Sequence, residues 1–128
     1  IRSEDVRAHT LWPERFSVSH EAADSMRMTL QKGGRIVAVG TTVVRCLETV
    51  VSTRSALVAA EGWADLYIVP GHRFRAVDAL ITNFHLPRST LLVLVAAFAG
   101  LETTARAYEE AVRMGYRFYS YGDCMLIQ

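Results

Sequence analysis

These 128 residues hold little that staples or stiffens a chain: two cysteines and three prolines. Cys46 and Cys124 are too few for a disulfide framework and lack the paired spacing of a zinc site. Reduced thiols, no metal and a cytoplasmic protein are therefore expected. Charge of one sign is missing too. Fourteen Lys plus Arg stand against 13 Asp plus Glu, and a net charge of +1 supplies no global attraction to nucleic acid, so any RNA contact has to come from a local patch. The longest apolar stretch, Leu91 to Ala99, is about half of what crossing a bilayer requires, and no membrane segment is expected. The opening Ile1-Arg-Ser-Glu lacks the basic-then-apolar run of a secretory signal, and we read the chain as a fragment joined to an upstream part of the same polypeptide.

About half of the residues are hydrophobic, enough to bury one core but not two. Residues 1–18 mix charges around a Trp12-Pro13 break, which suits an extended, irregular leading segment. Ser19 can cap a helix whose apolar positions Ala22, Met26 and Leu30 recur at helical spacing, with Glu21 in its first turn and Gly33 and Gly34 ending it. The β-branched run Arg35 to Val39 predicts a strand buried on both faces. Gly40-Thr41-Thr42 then turns into a helix over roughly 42–52, with Val44, Leu47 and Val51 on one side. Past a polar, Ala-rich connection, Leu66–Val69 and Ala79–Thr82 read as strands. Their link is too short for a crossover, so they are either antiparallel or not adjacent. Leu91 to Ala99 reads as a core helix. Residues 102–114 read as a surface helix with Glu102–Arg106 and Glu109–Arg113 pairs, and Cys124 to Ile127 as a last strand. The pattern predicts an α/β fold with a mainly parallel open sheet and flanking helices.

If the strands at 35–39 and 79–82 run parallel, the loops after them emerge on one edge, where open α/β sheets bind ligands. Thr41 with Thr42, and Ser89 with Thr90, each put hydroxyls beside a helix N-terminus, a receptor for an anion; either pair equally serves as an ordinary cap. Arg45, one turn further, is either in reach of that ligand or a surface arginine paired with Glu48. Gly40-Thr41-Thr42 matches neither a dinucleotide fingerprint nor a phosphate-binding P-loop. The segment Asn83 to Thr90 is dense in functional types: an amide, the His85 imidazole, the Arg88 guanidinium and two hydroxyls around Pro87. It carries the strongest site signal, although Asn83 can serve its own turn and His85 can be structural. Tyr116 to Asp123 mixes aromatics with Arg117, a composition that can stack on a base and touch phosphate or simply form a packed face.

Four phrases are specific enough to name a family: Gly34 to Thr42 continued by Val44-Arg-Cys-Leu-Glu48, Gly62 to Gly71, Val77 to Leu91, and Tyr116 to Asp123. In order and spacing they resemble the S-adenosylmethionine:tRNA ribosyltransferase-isomerases over essentially the whole chain. The resemblance implies that residues 1–128 are the C-terminal part of an α/β domain whose remainder, with an inserted β-barrel, lies upstream. It implies transfer and isomerisation of the ribosyl group of S-adenosylmethionine onto an aminomethyl-deazaguanine at the tRNA wobble position. S-adenosylmethionine would be consumed and tRNA would be the partner. His85, Asp123, His9 and Glu14 become candidates for proton transfer; Gly40, Thr41, Thr42, Arg45, Asn83, Ser89 and Thr90 for holding S-adenosylmethionine; Arg88, Arg117 and Tyr121 for RNA. One departure stands out: the family's His-x-Met-His-x-Glu reads His9-Thr-Leu-Trp12-Pro-Glu14 here. Trp12 in place of the second histidine leaves open an RNA-binding module without catalysis; a generic nucleotide-binding α/β domain without RNA contact is a further alternative.

Overall fold

A computed structural model describes residues 12–85, 89–117 and 123–128. Among them the order is β1 (Glu14–Val18), α1 (His20–Gln31), β2 (Val37–Val39), α2 (Thr41–Arg54), β3 (Ala60–Ala64), β4 (Ala79–Asn83), α3 (Thr90–Ala99), α4 (Leu101–Met114) and β5 (Cys124–Ile127). The α/β class is as expected. The mainly parallel sheet is not: the strands form two small sheets, β1 antiparallel to β3, and β2-β4-β5 with β2 parallel to β4 and β5 antiparallel to β4.

Two strand assignments change as well. The leading segment is not wholly irregular, because Glu14–Val18 pairs with Ala60–Ala64. That partner strand lies in what reads as a polar connection, and Leu66–Val69 lies outside any strand. Ile68 is nevertheless 1% exposed, so the apolar run marks burial rather than strand pairing. β2 is also not buried on both faces. Ile36 and Ala38 face the core, whereas Val37 and Val39 are exposed, because β2 is an edge strand with α2 packed on one side.

The helices follow from local chemistry. Ser19 caps α1, its Oγ accepting from the Ala22 N–H at 3.0 Å. Ala23, one position beyond the expected Ala22, is the residue of α1 that is buried. Gly34 follows because a side chain there would meet Thr29: an added Cβ would lie 2.8 Å from its Cγ2 and 3.0 Å from its carbonyl oxygen. α2 is the hub, with Val44 and Val50 at 0% exposure in a core that also takes in Leu47, Leu57, Ile68, Val77, Leu80 and Leu94. α3 is only half a core helix, burying Leu94, Val95 and Ala96. In α4, Arg113 pairs with Glu110 at i,i+3 in place of the expected Glu109. Among the described residues no single helix is long and apolar enough to cross a membrane.

Candidate active site

The parallel pairing of β2 with β4 brings the loops after them to one edge. A single backbone hydrogen bond ties them together, from the Gly40 N–H to the Ile81 carbonyl at 2.8 Å. Gly40 holds φ 98° and ψ 147°, a conformation open to glycine and strained for other residues, and this lets the chain reverse from strand into helix beside β4. Between the two loops lies a cleft of about 410 Å³, lined by Gly40, Thr41 and Thr42 on one side and Thr82, Asn83 and His85 on the other, with Cys124 at the start of β5. The volume falls in the range of small-molecule sites. No side chain caps α2, so neither threonine is a conventional cap and the first N–H groups of that helix have no side-chain acceptor.

His85 is held from two sides. Its Nε2 lies 2.8 Å from Thr82 Oγ1, and its backbone N–H donates to the Tyr108 hydroxyl at 2.8 Å. Burial lowers the pKa of the imidazole, which favours the neutral ring at physiological pH. Tyr108 stacks edge-on against Phe84 at 5.4 Å. Burial raises its pKa, and the hydrogen bond from the His85 backbone opposes that effect, so it remains a phenol.

The N-terminal candidates reach the same edge by another route. Glu14, at the start of β1, accepts from Arg45 Nη1 at 2.6 Å through one oxygen and from Thr42 Oγ1 at 3.3 Å through the other. A carboxylate therefore sits beside the N-terminus of α2 and the rim of the cleft. Arg45 is not the surface arginine that a pairing with Glu48 would make it. It is 3% exposed, does not pair with Glu48, and donates inward to the carbonyls of Leu66 at 3.2 Å, Ala64 at 2.9 Å and Trp12 at 3.5 Å. With four N–H groups engaged, it clamps β1 and β3 to α2 and holds Glu14. Glu48 has its own role: at 1% exposure it accepts from the backbone N–H groups of Arg75, Ala76 and Val77 and from His72.

Ser89 caps α3, accepting from the Leu92 N–H at 3.0 Å, and Thr90 opens that helix. Asp123 accepts from the Arg117 N–H at 2.5 Å and precedes Cys124 of the cleft wall. His9, Arg88 and Tyr121 lie outside the described residues. Trp12 is 88% exposed. Sequence reasoning missed Thr82, Tyr108 and Cys124. The one available signal was Thr82, three residues before His85 at a strand end.

A family model described as queuosine biosynthesis protein matches residues 1–127. The chain is 54% identical over 127 residues to an S-adenosylmethionine:tRNA ribosyltransferase-isomerase of Moorella thermoacetica, covering 99% of this chain and 37% of that protein. It is 53% identical over 128 residues to one of Pelobacter propionicus, covering 100% of this chain and 37% of that protein. It also superposes on a solved structure of S-adenosylmethionine tRNA ribosyltransferase from Thermotoga maritima with a TM-score of 0.85 and 53% identity, over 89% of this chain and 40% of that one. The chain thus spans about 37% of the length of the curated relatives it matches.

Proposed function

Because the chain belongs to the queuosine biosynthesis protein family, we propose that it is the C-terminal part of an S-adenosylmethionine:tRNA ribosyltransferase-isomerase. In this reading the whole enzyme moves and isomerises the ribosyl group of S-adenosylmethionine onto an aminomethyl-deazaguanine at the tRNA wobble position. The product is epoxyqueuosine, and adenine and methionine leave. S-adenosylmethionine is consumed as a ribosyl donor, so no resident cofactor or metal is needed.

The observation that carries the proposal is the meeting of Gly40–Thr42 with Thr82–His85 at one edge of a parallel strand pair. Hydroxyls and the free first turn of α2 suit the ribose and carboxylate groups of the donor. The reaction needs a base to remove the acidic proton beside the sulfonium, and a neutral imidazole in the cleft wall is suited to accept it. His85 is therefore the proposed base. Glu14, held by Arg45 beside Thr42, is the proposed acceptor for a donor hydroxyl at the rim. Asn83 and Thr90 line or flank the same edge. Arg88, Arg117 and Tyr121 are proposed to meet tRNA, Arg88 as a phosphate contact whose removal weakens binding and flattens its salt dependence.

His85→Ala in the full-length enzyme tests this reading. At saturating substrates the rate of adenine release should fall by about a hundredfold or more, as commonly follows loss of acid–base help, while folding survives. A normal rate per folded molecule with a lowered melting temperature ends the catalytic assignment. The exposed Trp12 favours a second reading, a base-stacking RNA module without catalysis. Release of adenine only in the presence of substrate tRNA removes it.

A further inference from the structure

The proposed base has two ring nitrogens, and the structure treats them differently. Nε2 is tied to Thr82 Oγ1 at 2.8 Å, and among the described residues no hydrogen bond engages Nδ1. Thr82 is 5% exposed on β4, the central strand of its sheet, so its hydroxyl is anchored to a strand paired on both sides. The backbone of His85 is fixed separately, by the Tyr108 hydroxyl of α4. Two elements thus set one imidazole, β4 through the ring and α4 through the main chain.

Resting on the assignment of His85 as the base, we infer that Thr82 is a positioning residue that selects its working nitrogen. The Thr82 hydroxyl can take either side of this bond; in the inferred arrangement Nε2–H donates to Oγ1, so the proton rests on Nε2 and the Nδ1 lone pair accepts the proton from substrate. The same hydrogen bond strengthens when the ring becomes imidazolium, so Thr82 steadies the charged form that proton transfer creates. The arrangement follows the rule that the tautomer of a histidine is set by the partner of its other nitrogen. Among the described residues, the Tyr108 phenol of α4 contacts the His85 backbone, and Asn83 and Cys124, at the start of β5, line the same cleft. Among the described residues that line the cleft, none is Asp, Glu, Lys or Arg. Among the described residues Thr82 is the side chain hydrogen-bonded to the ring, and as an acceptor it favours the tautomer protonated at Nε2.

A bland alternative exists: Thr82 and His85 satisfy one another as a buried polar pair, and the bond only adds stability. Thr82→Val and Thr82→Ser in the full-length enzyme separate the two. Valine keeps the β-branched shape that suits a strand and removes the hydroxyl; serine restores it. If Thr82 positions the ring, Thr82→Val lowers kcat for adenine release on the order of 10- to 100-fold, as loss of a near-attack geometry does, with little change in KM. The acid limb of its kcat–pH profile moves to lower pH, because the imidazolium has lost an acceptor. Thr82→Ser recovers most of the rate and the position of that limb. Thr82→Ala serves as the second hydroxyl-free variant should Thr82→Val fold poorly. A hydroxyl-free variant with normal kcat per folded molecule and an unmoved acid limb overturns the inference, whatever its melting temperature. If His85→Ala is itself fully active, the base assignment fails and this inference falls with it. If His85→Ala is inactive and the Thr82 variants are normal, only the role of Thr82 is lost.

Discussion

Replacing Arg45 by methionine separates the two roles this residue can hold, ligand contact and internal clamp. Methionine fills a similar narrow volume without charge. The change removes the donors to three carbonyls and one carboxylate. The bond to Ala64 is buried, and stranding that carbonyl costs about 1–3 kcal/mol. Leu66 and Trp12 accept part-buried bonds, the latter long at 3.5 Å, and contribute nearer the ordinary net value of about 0.5–1.5 kcal/mol together. The Glu14 carboxylate is 43% exposed and rehydrates, so its share is discounted to about 0–1 kcal/mol. The expected destabilisation is thus about 1.5–5.5 kcal/mol by this sum. Arg45→Lys keeps the charge without the planar fork, and should cost less but not nothing. Urea unfolding at constant m measures both changes, and single-turnover adenine release over a range of S-adenosylmethionine concentrations measures ligand contact in the same samples. The clamp requires a lowered midpoint with an unchanged half-saturating concentration in the molecules that stay folded. A wild-type midpoint combined with weakened saturation refutes it and returns Arg45 to the ligand.

Three further outcomes follow from the geometry. Glu48→Gln turns an amide NH₂ toward backbone N–H groups that now meet a carboxylate, and should lower stability by about 2–5 kcal/mol in urea unfolding; an unchanged midpoint would show that the 72–77 loop is not held by Glu48. Gly40→Ala meets no heavy atom within 4 Å, so its cost is backbone strain alone, about 1–3 kcal/mol, and a change below about 0.5 kcal/mol would contradict the strained turn. The folded-state pKa of His85 is depressed below its ordinary 6.5, so between these two values the unfolded chain binds more protons than the folded one. Stability should therefore fall as pH drops through about 6.5 toward the lower folded value, and His85→Gln should remove that part of the acid loss. Melting curves of both proteins at about pH 7.5 and about pH 5 check it, and identical losses would refute it.

Local chemistry determined much of this molecule directly. Ser19 and Ser89 cap helices because a short hydroxyl before an apolar-periodic run has one nearby N–H to satisfy, and both caps were legible from composition alone. The strand at 79–83 and the helix after Gly40 were likewise visible, since β-branched runs and glycine turns act over a few residues. Tertiary structure decided what depends on distant partners. β3 could not be read from Ala60–Ala64, whose strand conformation comes from pairing with Glu14–Val18. Leu66–Val69 looks like a strand by itself, yet it buries Ile68 without joining a ladder. The site shows the same division. His85 stood out by type and by its place after a strand. Its partner Tyr108, and the inward turn of Arg45 toward Glu14, Ala64 and Leu66, did not, because a hydrogen bond across 19 to 31 residues leaves no periodic trace in sequence; Thr82, three residues before His85, was within local reach. The charge and reach of Arg45 are written in its side chain, but whether that charge meets a ligand or a carbonyl is settled only when β1 and β3 close over α2.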